Sequence, residues 1–233
     1  MDGLLPVLKP YGWTSFDVIR KLQRIVKKEK IGHAGNLDAL ATGLLLVGFG
    51  KATKQLSRWL MADKEYVFQL QFGISTETLD RAGHHTQFAS VDPAVVNQAS
   101  LKDLIQRSFT GEILQRPPQY CALKIQGRRY SDLARDHIEA EPPERSVLIH
   151  SLEVVSFLWD NMHPSAILRL HCSHGTYVRS LCRDLAKQLQ TIGMAKEICR
   201  TRIGNITISH AMPMSDLLQP DDLLSHFYRE GKA

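Results

Sequence analysis

The spacing of apolar and polar residues predicts alternating strands and helices, without an internal repeat. Apolar and polar residues alternate from Lys64 to Gly73, the pattern of a half-buried strand, and a further strand is expected from Ala166 to Cys172. Apolar residues three and four positions apart predict helices after Ser15, from Pro93 to Thr110, and between Val178 and Gly193. Ser15 is expected to cap the first helix, and Gly193 is expected to end the last.

The segment from Gln115 to Ser146 interrupts this alternation. It is basic, with Pro117-Pro118 near its start and Pro142-Pro143 near its end. A long irregular segment inside a compact domain commonly has a function. We therefore interpret it as a functional insertion.

The most informative segment lies between Gly32 and Gly43, where glycines surround a single carboxylate, Asp38. Glycine permits positive φ angles and close approach of another molecule, so a ligand or nucleic acid could lie against the main chain beside Asp38 and His33. The alternative is a helix-to-strand turn in which Asp38 is a solvated or capping acid. The glycines that follow lack the spacing of the loops that bind ATP, GTP or NAD phosphates.

Composition indicates a cytosolic protein that does not cross a membrane. The chain has 233 residues, of which 43% are hydrophobic, enough for a sizeable core. Its longest apolar run, Leu44 to Phe49, is far shorter than the roughly 20 residues of a membrane helix, and no signal peptide is apparent. The four cysteines contain no Cys-x-x-Cys pair and are expected to be reduced core thiols.

The charge distribution suggests a polyanionic partner. The net charge is +5 and the isoelectric point is near 9.0. Any single basic cluster could be a solvated helix face, but several along one chain favour RNA or DNA. The clusters are Lys27-Lys28-Lys30, Lys51-Lys54-Arg58, Arg128-Arg129 and Arg200-Arg202.

Arg179 lies beside Tyr177 in the first turn of a predicted helix, where a cation opposes the helix dipole. An anion facing Arg179, such as Asp38 or an RNA phosphate, would account for this position. Alternatively, Arg179 shares a solvated row with Arg183 and Lys187, each four residues further along. The residues alone leave both interpretations open.

The segment Gly32-His33-Ala34-Gly35-Asn36-Leu37-Asp38 resembles the central motif of the TruB family of tRNA pseudouridine synthases. Five further segments, in the family's order, resemble its other motifs. They are Lys9-Pro10 with Gly12, Thr14 and Ser15; Lys64-Glu65-Tyr66; Gln115 to Arg135; Cys172 to Leu181; and Arg200-Thr201-Arg202 with Gly204.

The resemblance covers roughly residues 3 to 218 and implies the pseudouridine synthase fold. This is an α/β (α+β) fold with a mixed, mostly antiparallel central sheet flanked by helices and a thumb-like RNA-gripping insertion, here at about 115–146. It implies one catalytic domain over residues 1–233. Gln219 to Ala233 are too few for the C-terminal RNA-binding (PUA) domain of many bacterial members, so none is expected.

The implied reaction converts the T-loop uridine of tRNA, at position 55, to pseudouridine. Asp38 matches the catalytic nucleophile. Tyr66 matches the tyrosine that stacks on the uracil and helps to remove its C5 proton. Arg179 matches the arginine that would pair with Asp38 and lower its pKa. Without the motif, Tyr66 would be an ordinary core aromatic.

Three further residues are implied to bind the substrate. The target base must leave its stack, and His33 matches the flat side chain that refills the gap. Tyr177 and Ile198 match positions that wall the uracil pocket. The chain departs from the family at Ala34, Asn36, Ala39 and Cys199, which bears on affinity more than on chemistry.

The expected partner is the T-arm of tRNA, bound by a monomer that needs no obligatory protein partner, cofactor or metal. The remaining histidines, such as His84-His85 and His171, lack the usual spacing of zinc ligands. A competing interpretation is a non-catalytic tRNA-binding or RNA-folding module on the same scaffold, and a guide-RNA-dependent synthase is a third. The combination of Asp38, Tyr66 and Arg179 favours the enzyme.

Overall fold

The computed structural model describes residues 1–160, 163–217 and 219–228. The chain forms two compact units. The first contains Met1–Val67 and Ile198–Ala233, and the second contains Phe68–Glu197. The division falls within two strands, so each unit receives part of both.

The regular elements alternate between strands and helices, as the apolar spacing predicts. In chain order they are β1 (Gly3–Lys9), α1 (Ser15–Val26), β2 (Ile31–Ala34), β3 (Thr42–Phe49), α2 (Leu56–Met61), β4 (Lys64–Phe72), β5 (Ile74–Thr76), β6 (His85–Phe88), α3 (Gln98–Ser108), β7 (Gly111–Gln115), β8 (Lys124–Ile125), β9 (Arg128–Arg129), α4 (Tyr130–Arg135), β10 (Arg145–Leu158), β11 (Ser165–Cys172), α5 (Val178–Gln188), β12 (Gly193–Ile203), β13 (Ile206–Thr207), β14 (Met212–Pro213) and α6 (Pro220–Ser225).

In the first unit the strand order is β14-β1-β3-β12. β3 is antiparallel to β1 and β2 and parallel to β12. Alternate residues of β3 enter different cores: Leu45 and Val47 pack in the same core as Val18 and Leu22 of α1, whereas Leu46 packs in the core that contains Trp59 of α2. Because both faces of β3 are buried, its sequence is an almost continuous apolar run.

In the second unit β10 lies between β7 and β11 and is antiparallel to both. The predicted insertion contains a two-stranded hairpin, β8 and β9, that turns at Gln126 and Gly127, both with positive φ. α4 follows the hairpin directly. The insertion therefore contains regular structure that its proline-rich ends do not predict.

The predicted fold class, mixed α/β with a mostly antiparallel sheet and flanking helices, is confirmed. Two predicted boundaries are wrong. Thr14 caps α1, because its side chain accepts a hydrogen bond from the Asp17 amide. α5 ends at Gln188, and Gly193 begins β12 instead of ending the helix. In the described ranges, no helix is long and apolar enough to cross a membrane.

Candidate active site

The glycine-rich segment forms a loop between two antiparallel strands, not a helix-to-strand turn. β2 pairs with β3, and the residues between them, 35–41, carry Asp38. Gly35 and Gly43 have φ angles of 72° and 100°, which favour glycine. Asp38 is partly exposed, and its carbonyl oxygen accepts a hydrogen bond from the Ala41 amide at 3.1 Å. The loop thus holds one accessible carboxylate between two paired strands.

Lys9 holds this loop from β1. Its side chain is buried, and Nζ donates to the carbonyl oxygens of Ala39 at 3.1 Å and Pro10 at 2.9 Å, and to that of Trp13. A buried ammonium requires such acceptors because its desolvation is costly. Lys9 therefore ties the turn after β1 to the residue that follows Asp38.

The residues after Lys9 hold the loop at two further points. The Gly12 amide donates to the Ala39 carbonyl oxygen at 2.9 Å. Ser15 Oγ accepts from the Leu37 amide at 2.9 Å and donates to the Leu37 carbonyl oxygen at 3.3 Å. The backbone on both sides of Asp38 is thus fixed by the segment that precedes α1. This contact also explains why Ser15, expected to be a helix cap, is fully buried.

Arg200 on β12 contacts both ends of the same loop. It is 1% exposed, and its guanidinium donates to the carbonyl oxygens of Gly35 at 3.1 Å and Leu44 at 2.8 Å. It also forms a hydrogen bond with the Tyr66 side chain. A Cβ at Gly43 would lie 2.8 Å from the Arg200 amide nitrogen and would collide with its carbonyl oxygen. Gly43 therefore permits the approach of β12, not of a ligand.

The sequence interpretation of Arg200-Arg202 as a basic cluster facing a polyanion is wrong. Arg200 is buried as described above. Arg202 donates to Glu65 at 2.6 Å and to the Gly204 carbonyl oxygen at 2.6 Å. Both guanidinium groups satisfy acceptors inside the first unit, so this segment has a structural role.

Lys9 and Arg200 place positive charge near Asp38. Burial lowers the pKa of Lys9 to about 8, and the charge of Asp38 acts in the opposite direction. Burial also lowers the pKa of Arg200, and this effect is opposed first by Tyr66 and then by Asp38. Both groups remain cationic at neutral pH, so the Asp38 side chain lies close to two positive charges. The arrangement suits a carboxylate nucleophile.

Tyr66 lies on β4. Buried and less buried residues alternate along this strand, as predicted for the segment from Lys64 to Gly73. The Tyr66 side chain belongs to the buried face and is 9% exposed. Through its hydrogen bond with Arg200, it shares a partner with the Asp38 loop. Tyr66 and Asp38 thus both lie near the buried guanidinium of Arg200 in the first unit.

His33 precedes the loop on β2. Burial lowers its pKa, and the positive charge of Arg200 lowers it further. Its Nδ1 atom is buried and has no hydrogen-bond partner among the described residues. The imidazole is therefore neutral near pH 7.

Ile198, the remaining predicted residue of the first unit, lies on β12 and is 9% exposed. Its carbonyl oxygen accepts a hydrogen bond from Thr42 Oγ1 at 3.4 Å, at the start of β3. Ile198 is therefore fixed to the strand that follows the Asp38 loop.

In the second unit, Arg179 is at the second position of α5 and is 4% exposed. Its guanidinium donates to the carbonyl oxygens of Thr78 at 2.7 Å and Tyr120 at 2.9 Å, and Nε lies 3.8 Å from the Asp80 carboxylate. These contacts exclude the solvated row with Arg183 and Lys187. The pairing of Arg179 with Asp38 stays a prediction.

Tyr177 is the residue before α5. Gln115 holds its backbone in two hydrogen bonds, accepting from the Tyr177 amide at 2.7 Å and donating to its carbonyl oxygen at 3.1 Å. The Arg145 guanidinium lies 4.8 Å from the centre of its ring, and burial raises the pKa of its hydroxyl. The Tyr177 hydroxyl is therefore neutral, and the ring is held at a fixed site.

The profile of the TruB family pseudouridylate synthases (N-terminal domain) matches residues 23–178, which include the Asp38 loop, β4 and the start of α5. The chain belongs to the TruB family. The resemblance of its motifs to this family is thereby confirmed.

Curated TruB relatives align over most of the chain. A tRNA pseudouridine synthase B of Clostridium kluyveri is 38% identical, and the alignment covers 100% of this chain and 78% of that protein. One of Caulobacter vibrioides is 40% identical over 93% of this chain and 68% of that protein.

Solved structures share the fold. The structure of a Cbf5-Nop10-Gar1 complex contains a chain that is 26% identical, with a TM-score of 0.68 over 92% of this chain. A chain of an H/ACA RNP bound to a substrate RNA is 24% identical, with a TM-score of 0.66. The present chain spans about half of each, 53% and 52% respectively. These similarities confirm the predicted pseudouridine synthase fold.

Two groups at the Asp38 loop were missed by sequence reasoning. Lys9 and Arg200 belong to recognised motifs, but nothing in the one-dimensional pattern indicates that they are buried at the Asp38 loop. The only sequence signal of the buried Arg200 was indirect. Glycines stand at positions 35 and 43, where Arg200 lies against the backbone and leaves little room for a side chain.

Proposed function

We propose that the protein isomerises a specific uridine of tRNA to pseudouridine, at position 55 in the T-loop. The relatives named tRNA pseudouridine synthase B support this substrate, since they align with nearly the whole chain at 38% and 40% identity. The protein is proposed to act in the cytoplasm as a monomer, on the T-arm of tRNA, without a cofactor.

The observation that carries the mechanism is the loop of Asp38, held by Lys9 and Arg200. Isomerisation detaches uracil from C1′ of its ribose, rotates the base and rejoins it through C5. This chemistry requires a nucleophile and a proton acceptor. A carboxylate is a competent nucleophile, and this one lies near the charges of Lys9 and Arg200. Asp38 is proposed to fill this role.

Tyr66 and Arg179 are proposed as the other catalytic residues. Tyr66 would stack on the uracil and help to remove the C5 proton. Its hydrogen bond with Arg200 supports this role, because it orients the phenol relative to the Asp38 loop. Arg179 would hold the Asp38 carboxylate in position, as the family resemblance implies.

His33, Tyr177 and Ile198 are proposed to bind the flipped nucleotide. Extruding a base costs a few kcal/mol, and filling the gap with a flat side chain recovers part of that stacking energy. The neutral imidazole of His33 suits this purpose because a charged ring would be desolvated at greater cost. Tyr177 and Ile198 would form the walls of the uracil pocket.

The test is release of tritium from tRNA transcript labelled at C5 of uridine. We expect wild type to release tritium and Asp38→Asn to lose turnover while binding tRNA within a few-fold of wild type, because the amide keeps the shape of the side chain but is not a nucleophile. Asp103→Asn, an exposed acid on α3, is the matched control and is expected to retain turnover.

Release by the Asp38→Asn protein at the wild-type rate would overturn Asp38 as the nucleophile. Tight tRNA binding without release by wild type would overturn the synthase and favour the non-catalytic RNA-binding module.

A further inference from the structure

A basic depression on the first unit lies outside the groups assigned to catalysis. Its volume is about 360 Å³, and it is formed by one face of α1 and the turn before that helix. The lining residues are Gly12, Trp13, Asp17, Arg20, Lys21 and Arg24.

The depression carries excess positive charge. Residues 17, 20, 21 and 24 share one face of α1 because they are three and four positions apart. Three of them are cations and one, Asp17, is an acid. The Asp17 carboxylate accepts hydrogen bonds from the Thr14 amide at 2.9 Å and hydroxyl at 2.6 Å, and it pairs with Arg20 at 2.8 Å. The hydrogen-bond acceptors of Asp17 are thus largely occupied by Thr14 and Arg20. The three cations and one carboxylate together leave a net charge of +2 on this face.

Large aromatic side chains are exposed beside these cations. Phe16 is 64% exposed, and the Arg20 guanidinium lies 5.3 Å from the centre of its ring. Tyr11, in the turn before α1, is 51% exposed. Cations interleaved with exposed aromatics are typical of nucleic-acid-binding surfaces, where phosphates meet the cations and bases can stack on the rings.

This surface is continuous with the Asp38 loop. Gly12, which lines the depression, donates through its amide to Ala39, the residue after Asp38. From that point α1 runs for 12 residues, a length of about 18 Å. An RNA whose uridine reaches Asp38 therefore has neighbouring nucleotides within reach of Arg20, Lys21 and Arg24.

We propose that this face of α1 binds backbone phosphates of the tRNA outside the uridine that is isomerised. The inference rests on the proposed function for the identity of the RNA. The residues that it assigns to binding are not among the candidate catalytic groups. They also lie outside the basic clusters predicted from the sequence. Phosphate contacts of this kind add affinity without reading the base sequence.

The test measures the dissociation constant of unmodified tRNA transcript over a series of KCl concentrations. The variant is Lys21→Gln/Arg24→Gln, which leaves the Asp17–Arg20 pair and the Thr14 cap intact. The control is Lys102→Gln/Arg107→Gln on α3, which removes the same charge from exposed positions in the second unit. Circular dichroism of both variants verifies the fold.

We expect the α1 variant to bind tRNA roughly ten-fold more weakly. The slope of log affinity against log salt concentration should become shallower by about two, because binding with two fewer phosphate contacts releases about two fewer counterions. In turnover, the loss should occur mainly in KM. The control should retain the wild-type slope. Equal slopes for the α1 variant and wild type would overturn the proposal.

The two proposals fail in different ways. If wild type turns over tRNA but the α1 variant keeps its affinity and salt slope, only the α1 surface is wrong. If wild type binds tRNA with a salt slope that depends on Lys21 and Arg24 but releases no tritium, the α1 surface stands and the proposed reaction is wrong.

Discussion

Two buried cations, Lys9 and Arg200, determine the environment of the proposed nucleophile. Each is 1% exposed, and each donates to backbone carbonyl oxygens at the Asp38 loop. Removing a charge from water costs several kcal/mol unless its hydrogen bonds are satisfied. Their burial is therefore explained by the acceptors around them together with the nearby Asp38 carboxylate.

Replacing Arg200 by methionine should expose the importance of these contacts. We expect Arg200→Met to lower the free energy of unfolding by about 3 to 5 kcal/mol, because the carbonyl oxygens of Gly35 and Leu44 lose their donor inside the protein. Urea unfolding measures this value. The neighbouring Arg202→Met, which removes a partly exposed pair with Glu65, should cost only about 1 kcal/mol.

An equal effect of the two substitutions would contradict the account, since it would mean that Arg200 contributes no more than a surface ion pair. Arg200→Lys should fall between wild type and Arg200→Met, because it keeps the charge but loses the planar fork that reaches two carbonyl groups.

At the residue scale, the sequence identifies the groups with recognisable chemistry and not those that support them. Asp38 and His33 were predicted because they lie in a glycine-rich motif. The burial of Lys9 and Arg200 was not, because lysine and arginine are mostly exposed and a basic cluster is normally a solvated surface. Only pairing between distant strands brings Arg200 to Gly43.

At the scale of elements, the hairpin of β2 and β3 depends on a close approach of β12. Arg200 pairs with Gly43 in parallel register, and the glycine has a φ angle of 100°. Any side chain at this position would both strain the backbone and displace the neighbouring strand.

We therefore expect Gly43→Ala to lower the free energy of unfolding by about 2 to 5 kcal/mol, from backbone strain and steric overlap together. Gly12→Ala is the control: Gly12 also has a positive φ, 80°, but no atom lies within 4 Å of its would-be Cβ. Strain alone should cost about 1 to 2 kcal/mol there. Chemical denaturation compares the two, and equal losses would exclude the steric effect.

The elements with regular apolar spacing were predicted within a few residues. β4 and β11 nearly match their predicted ranges, and α3 lies inside its predicted range. The long strand β10 was missed because its register shifts between Ile149 and Ser151 and again between Val154 and Ser156. Each bulge reverses the face on which side chains lie, so no single alternation runs along the strand.

At the scale of the whole molecule, the positive net charge of +5 and the TruB family membership indicate the same class of partner. Positive charge attracts any polyanion, whereas the family and the site restrict the proposal to a uridine of tRNA. Within this charge, the predicted basic cluster Arg200-Arg202 is structural, whereas the proposed phosphate-binding surface on α1 lies outside the predicted clusters.

The sequence predicted the fold class mainly through its resemblance to the TruB family. Apolar spacing predicted separate strands and helices but not their order in a sheet, because pairing between strands distant in sequence leaves no local pattern. The two-sided burial of β3 is an example: the apolar run from Leu44 to Phe49 indicates a buried element without revealing its neighbours β1, β2 and β12.

Mapping pseudouridine in an unmodified tRNA transcript after incubation with the purified protein tests both the proposed reaction and its position. We predict one pseudouridine, at position 55 of the T-loop, with wild type and none with Asp38→Asn. A transcript that contains no pseudouridine after incubation with wild type, or contains it only outside the T-loop, would contradict the account.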